Sequence, residues 1–411
     1  MDETCTRRAA DGAGETMTDA EGAMTLAAID VGTVSTRLIV SEVDAAGRTR
    51  PFERQARITN LGMGVDATGR LEAAAIERTV ACVTAYGRRV AELAREAREG
   101  HGASEGNGTH EDGAPAARWV TITLTSAARD AANADDLLGA LRARGLDPQV
   151  IPGDVEARLA LLGVTSDFPG QDVLVADVGG GSTELVCGRR DADGLHVGRG
   201  HSFDVGCRRV TERFFGTGGG IPPTDGVRAA RAFVRETLGA FFADDFAGAG
   251  ALAAGDAIAN ASSASASPAS PAPFVAPRTL VGVGGTATSL VAVAHELVPY
   301  DPAFVHLRRM PRDLVRDLAR RLLAMDVEQR RALPGLQPKR ADVIAAGALI
   351  IDELMDVGGY DAYVASESDS LIGLLTCEYA AAHGVPGPLA PLWDARVTDA
   401  ATFCDRCLAV E

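Results

Sequence analysis

Twice in this chain an apolar run ends in an aspartate, turns through glycine and leaves on a second apolar run. The first copy is Ile29-Asp30-Val31-Gly32, and the second is Ala176-Asp177-Val178-Gly179-Gly180-Gly181. Branched apolar residues flank both turns, which suits strands of a mostly buried sheet. Each copy therefore reads as two strands joined by a tight turn. A chain that builds this unit twice is expected to fold as duplicated α/β lobes facing a cleft. Its 411 residues fit that reading, because they exceed what one minimal domain needs.

The rest of the pattern alternates strands and helices. Strands are expected at 26–31, 37–43, 58–61, 119–125, 149–151, 172–178, 183–189, 201–205, 280–283 and 363–365. Helices are expected at 71–98, 131–144, 154–162 (with Asp154 as its cap), 208–214, 225–246, 286–296, 312–325, 340–355 and 369–382. Residues 1–23 are acidic and rich in small residues, without the basic and apolar stretches of a signal peptide. They read as a disordered or non-native extension. Polar and glycine-rich residues at about 100–117, and Ala, Ser and Pro at about 253–277, read as two surface insertions. The expected division is a lobe over 24–166, a second lobe over 167–385, and a tail over 386–411 with little periodicity.

Charge and cysteine content narrow the function classes. A net charge of −16 opposes general affinity for DNA or acidic membranes, and no run is apolar and long enough to span a bilayer. Seven scattered cysteines do not make a disulfide framework. Cys404-x-x-Cys407 has the spacing of a redox pair or half a zinc site, but no second ligand pair accompanies it. A cytoplasmic protein is expected.

Chemistry concentrates at the glycine turns. In Asp177-Val178-Gly179-Gly180-Gly181-Ser182-Thr183-Glu184, three glycines after a buried strand let backbone N–H groups approach anionic oxygens. Asp177 could hold Mg²⁺ or a metal-bound water, and Glu184 follows on the next strand. A hairpin with solvated acids is the structural alternative. Asp30-Val31-Gly32-Thr33-Val34-Ser35-Thr36 is a weaker version whose hydroxyls and carboxylate gain meaning from the pairing. A third turn, through Gly284, Gly285 and Thr286, enters a helix whose N-terminus favours an anion. It lacks the Gly-Lys-Ser/Thr ending of a P-loop and the full dinucleotide fingerprint. Arg129, at a strand-to-helix junction, could fork onto phosphate, and Glu156 could polarise a water. Acids for metal, an acid for water and donors for charge are the parts phosphoryl transfer requires.

In order, the segments AIDVGTVSTRLIV, TSAARDAAN, IPGDVEARLALLG, DVGGGSTEL, SFDVGCRRVTERF, VGVGGTATSL, PGLQPKRADVIAAGALI and SESDSLIGLL span residues 28–375. The sequence resembles the exopolyphosphatase / guanosine pentaphosphate phosphatase family in its short two-domain form. The resemblance implies two ribonuclease H-like lobes of the actin, Hsp70 and sugar-kinase superfamily facing a central cleft. It implies Glu156 as the catalytic glutamate that activates water, with Glu184 as the second catalytic acid. Asp177 and Glu184 match the acids associated with Mg²⁺ (Mn²⁺ as substitute), and Asp30 is expected beside them. Gly179, Gly180, Gly181 and Ser182 match the phosphate cradle; Asp30 and Gly32, Thr33, Ser35 and Thr36 match the first phosphate loop; Arg129 matches a phosphate contact. The implied activity is removal of the terminal phosphate of inorganic polyphosphate, with short chains favoured, or conversion of pppGpp to ppGpp. A homodimer is expected. Val34 stands where the family usually has Asn, and Val155 where it has Glu. A phosphate- or nucleotide-binding regulator that lost catalysis is the alternative from another class.

Overall fold

The computed structural model describes residues 7–8, 23–100, 117–243 and 275–410. The N-terminal extension and the two insertions expected from the sequence fall almost entirely outside the described residues. The rest forms two compact units, one drawn from the chain up to Val155 and from Leu371 onward, the other running from Glu156 to Ser370.

Strands β1 (Arg7–Arg8), β2 (Met24–Val31), β3 (Ser35–Val43), β4 (Thr49–Ile58), β5 (Trp119–Leu124) and β6 (Gln149–Val150) build the sheet of the first unit. The second unit holds β7 (Val173–Val178), β8 (Thr183–Asp191), β9 (Gly194–Phe203), β10 (Thr279–Val283), β11 (Arg308–Pro311) and β12 (Ala362–Ala365). The first sheet is completed by β13 (Thr398–Asp399), antiparallel to β5. In both units three antiparallel strands are followed by two parallel ones. Spatially these run β4-β3-β2-β5-β6 and β9-β8-β7-β10-β12. The duplicated strand-turn-strand motif is thus the start of one topology used twice.

The central strands read as apolar runs because both faces are covered. Leu26 to Ile29 and Val173 to Val175 are fully buried. In the first unit the helix Ala73–Gly100 packs on the sheet through Val80, Val83, Tyr86 and Val90. In the second, Ala157, Ala160, Leu161 and Val164 of the helix Gly153–Val164 pack on Val173, Val175, Val281 and Val283.

Several boundaries differ from the sequence expectation, each for a local reason. The strand expected at 58–61 instead ends at Ile58 and begins at Thr49; its charged alternation hid it. Within it Glu53 is 1% exposed, offset by Arg89 of the helix Ala73–Gly100 at 3.0 Å. The helix expected at 131–144 is found at Ala134–Arg142, and a separate short helix, Ser126–Asp130, precedes it. Asp154 is not a helix cap: it lies inside Gly153–Val164 and accepts the adjacent Val155 N–H at 3.0 Å. The region expected at 208–214 is a short turn of α-helix, Cys207–Val210, continued by a π turn, Thr211–Phe215.

The C-terminal region departs most. Residues 386–411 were expected as a tail, yet Thr398–Asp399 joins the first sheet and Ala400–Leu408 is a helix. Phe403 and Cys407 are fully buried in the first unit's core. Cys404 and Cys407 are free thiols held i, i+3 on that helix, and burial pushes them up to about 12 and about 11. A methyl on Gly87 would meet the Cys407 Sγ at 2.5 Å. The pair packs one side of the helix against Gly87, and no group of three His, Cys, Asp or Glu among the described residues could hold a metal ion.

Glu378, on the helix Ser370–Ala382, is fully buried, and neither carboxylate oxygen has a hydrogen-bond partner among the described residues. Burial raises its pKa well above the usual carboxylate value of 4.5. The folded state therefore keeps a proton that the unfolded chain gives up above about pH 4.5, so stability falls as pH rises from there. Glu378→Gln is expected to raise Tm by several degrees at pH 7.5 and to lose that advantage near pH 4. Thermal melts across this range check it; an equal Tm at both pH values would rule it out.

Candidate active site

In the second unit β7 ends at Val178, and the chain turns through Gly179 to Ser182 before β8 begins at Thr183. The Gly179 N–H closes the turn on the Ser182 carbonyl at 3.0 Å. The carbonyls are held from one side. Gly179 O accepts Cys207 N at 2.9 Å, and Gly180 O accepts Arg208 N at 2.8 Å and Arg209 N at 3.2 Å. Gly181 O accepts Arg209 Nε at 2.9 Å. A trans peptide sets its N–H opposite its C=O, so the N–H groups of Gly180, Gly181 and Ser182 point away from the 206–209 segment. Among the described residues no backbone group accepts from them. Three parallel amide donors make an anion-binding concavity. The approach is close enough to demand glycine: a methyl on Gly206 would lie 2.3 Å from the carbonyl carbon and oxygen of Gly180.

Beside this turn three residues form a row across β7, β8 and β9. Asp177 pairs with Glu184, and Glu184 pairs with Ser202. Directly opposed residues place their side chains on one face. Both carboxylates are buried, at 7% and 1% exposure, and Glu184 accepts the Ser202 hydroxyl at 2.6 Å. On the other side Asp177 pairs with Val283 of β10. Gly284 then enters the helix Gly284–Ala294 with φ +76°, and a methyl there would meet Asp177 Oδ1 at 2.5 Å. One residue on, a methyl on Gly285 would overlap the Arg340 guanidinium at 2.1 Å. The glycine pair therefore leaves room for a carboxylate and for a cation. The Thr286 hydroxyl donates to Val178 O at 2.9 Å and so fixes the helix to the strand instead of facing a ligand.

The first unit repeats the frame with different chemistry. Gly32 N–H closes on Ser35 O at 2.9 Å; Thr33 O accepts Gly62 N at 2.9 Å, and Val34 O accepts Thr59 N and Asn60 N at 3.0 and 2.9 Å. The amides of Val34 and Ser35 consequently point away from 59–62. Val34, the departure from the family pattern, is 5% exposed, so its side chain belongs to the core while its backbone carries the turn. Thr36 is fully buried and its hydroxyl is shared with Thr59 at 2.9 Å, so it is a brace and not a phosphate ligand. Thr33 is also buried, packed against Gly62.

Seven residues after Asp30, where the second unit has Glu184, stands Arg37. Asp30 and Arg37 are cross-strand partners, and Arg37 donates to Asp30 Oδ2 through Nε at 3.1 Å and Nη2 at 2.7 Å. The expected metal acid Asp30 is thus engaged by a guanidinium. No group of three His, Cys, Asp or Glu side chains among the described residues could hold a metal ion. Asp177 and Glu184 remain as a pair. Two carboxylates with water and substrate phosphate completing the shell suit Mg²⁺, which dehydrates reluctantly.

Arg129 lies half-buried on the helix Ser126–Asp130 of the first unit and donates to Ile151 O at 3.0 Å. Glu156 is half-buried in the first turns of Gly153–Val164, where the second unit begins. The residues that sequence reasoning missed are Ser202, Arg340 and the braces 59–62 and 206–209. All but the 59–62 brace lie in the motifs SFDVGCRRVTERF and PGLQPKRADVIAAGALI. A glycine before a short helix, and a cation before a long one, were the available signals.

A family model for the Ppx/GppA phosphatase family matches residues 116–368. The chain belongs to that family. Exopolyphosphatase 2 of Mycobacterium tuberculosis is 35% identical over 367 residues, covering 85% of this chain and 97% of that protein. The bifunctional 3-dehydroquinate synthase/phosphatase of Fusobacterium nucleatum is 28% identical over 360 residues, covering 85% of this chain and 46% of its own. The crystal structure of the Aquifex aeolicus Ppx/GppA family member matches with a TM-score of 0.62 at 26% identity, over 88% of this chain and 99% of that one. The chain is accordingly an enzyme of a phosphatase family, with the α/β fold of the actin, Hsp70 and sugar-kinase superfamily and one such sheet per unit.

Gly206→Ala should displace the second turn and weaken binding of tripolyphosphate by on the order of tenfold to a hundredfold. Gly218→Ala, at an exposed position with no atom within 4 Å, should leave it unchanged. Titration calorimetry on both variants checks this; equal affinities would show that the turn is not the anion site.

Proposed function

We propose that this chain hydrolyses the terminal phosphoanhydride bond of inorganic polyphosphate and releases orthophosphate, with Mg²⁺ as cofactor. The observation that carries this reading is the row Asp177–Glu184–Ser202 beside three parallel amide donors. A terminal phosphate is an anion with oxygens enough to engage both. The similarity to a mycobacterial protein named as an exopolyphosphatase, over most of both chains, supports the same substrate class.

In this reading Glu156 takes a proton from water as it attacks the terminal phosphorus in line with the leaving chain. The amides of Gly180, Gly181 and Ser182 receive the oxygens of the transferring group, where donors fixed in advance act most strongly. Asp177 and Glu184 would hold the metal ion, which when bound offsets phosphate charge and orients the leaving oxygen. Ser202 keeps Glu184 in its rotamer through the 2.6 Å bond. Arg129 and the first turn receive phosphate oxygens on their own unit.

Glu156→Gln is expected to reduce kcat by about 10²–10⁴-fold while tripolyphosphate affinity stays within a few-fold. Glu184→Gln should instead shift the Mg²⁺ concentration needed for half activity upward by about tenfold or more. Phosphate release from short polyphosphate, long polyphosphate and pppGpp in parallel, over a Mg²⁺ titration, checks both. Release from polyphosphate that vanishes in E156Q supports the reading and ranks chain lengths. Release from pppGpp alone reassigns the substrate, and release from none of the three overturns the reading.

A further inference from the structure

Arg208 does two things at once in the second unit. Its backbone N–H holds the Gly180 carbonyl at 2.8 Å, while its guanidinium Nη2 donates to Asp342 Oδ2 at 2.6 Å. The Arg208 side chain is 6% exposed. Asp342 stands two residues after Arg340, the cation against Gly285. The buried Asp342 Oδ1 has no hydrogen-bond partner among the described residues, so the bond from Arg208 to Oδ2 offsets that carboxylate's partial burial.

The Arg340 segment is fixed from its other side as well. Arg330, 2% exposed, donates Nη1 to Ala341 O at 2.9 Å, Nε to Leu322 O at 3.0 Å and Nη2 to Met325 O at 2.7 Å. Arg340 N–H donates to Gln337 O at 2.8 Å and Val343 N–H to Arg340 O at 3.0 Å. Cys207, whose N–H holds Gly179 O, lies in the middle. It is buried, its thiol contacts Thr286, and the charges of Arg208, Arg340 and Asp342 all reach it.

We propose that Arg208 and Asp342 are positioning residues that set the spacing between the amide donors of Gly180 to Ser182 and the Arg340 guanidinium. The guanidinium at the turn, Arg209, holds the Gly181 carbonyl and so lies on the side away from the amides, and Arg340 alone has charge on a four-bond stem. An ion pair between their supporting segments, with Arg208 buried and Asp342 one-third exposed, holds both to one geometry, and a displacement near 1 Å in such a site is enough to cost on the order of a hundredfold. The inference rests on the proposed phosphohydrolase reading, and it adds residues that touch neither substrate nor metal.

The test uses full-length Arg208→Met, Arg208→Lys and Asp342→Asn, together with the double variant of Met and Asn. Phosphate release from tripolyphosphate gives kcat and KM well below each Tm. Each of R208M and D342N should lose on the order of tenfold to a hundredfold in kcat/KM, and the double variant no more than the worse single, because one contact is shared. R208K should recover part of the loss. A purely structural pair would lower Tm and leave kcat and KM alone, which overturns the proposal, as do losses that multiply in the double variant. If R208M does not fold, D342N and R208K carry the comparison. Amide hydrogen exchange separates the two readings. Faster exchange at both 207–209, whose amides hold the turn's carbonyls, and 340–343 in D342N upholds the brace even if wild-type protein releases no phosphate, and unchanged exchange overturns it.

Discussion

A planar trans peptide points its N–H opposite its C=O, so whatever holds the carbonyls of a turn decides where its amides aim. Both glycine turns of this protein are governed that way. In the second unit the backbone of Cys207, Arg208 and Arg209 takes the carbonyls of Gly179 and Gly180; in the first, Thr59, Asn60 and Gly62 take those of Thr33 and Val34. Glycine at 206 and at 62 is required by the closeness of that grip, since a methyl at either would fall 2.3 Å from its neighbour. The duplicated sheet order then ensures that each turn leaves the central strand in the same direction. Anion binding here is a property of backbone geometry before any side chain is chosen.

Side-chain choice breaks the symmetry. The position seven residues after the turn's aspartate pairs directly with it across the hairpin, so its identity sets the charge of the pair. Arg37 gives the first unit a neutralised Asp30, while Glu184 gives the second unit two adjacent acids. Two buried carboxylates side by side raise each other's cost of ionisation unless a cation joins them. That asymmetry is a physical reason to assign metal and chemistry to one unit and anchoring to the other. It also explains why an aspartate that looks equivalent in sequence need not be equivalent in role.

Much of this was legible in the sequence because the relevant signals are local. Leu26 to Val31 and Val173 to Val178 announce buried strands, and consecutive glycines after them announce close backbone approach. The illegible parts depend on partners distant along the chain. Thr36 offers a hydroxyl on paper, but Thr59 on the end of the neighbouring strand consumes it. Strand β4 was obscured by its charges, of which the buried Glu53 is neutralised from a helix by Arg89, thirty-six residues on. Phe403 and Cys407 lie in a short helix whose apolar face has meaning only against Gly87 and the core of the first unit. Arg340 could not be recognised before Gly285 was seen to leave it space.

A net charge of −16 and a polyanionic ligand are at first sight incompatible, and the geometry shows how they coexist. Repulsion from the outer surface is screened beyond roughly 8–10 Å at physiological ionic strength. Inside that distance, in the proposed reading, recognition falls to donors that are neutral in net charge, the amides of Gly180, Gly181 and Ser182, and to the buried guanidinium of Arg208 through its support of the Arg340 segment. Such donors add no field at long range, so they need not draw in nucleic acid or acidic membranes to hold a phosphate. Selectivity then lies in the few ångströms of contact: a ligand must present a small tetrahedral anion that reaches the bottom of the turn. In the proposed reading a terminal phosphate, bare on three oxygens, offers such an anion to the amides, whereas a phosphodiester carries sugars on both sides.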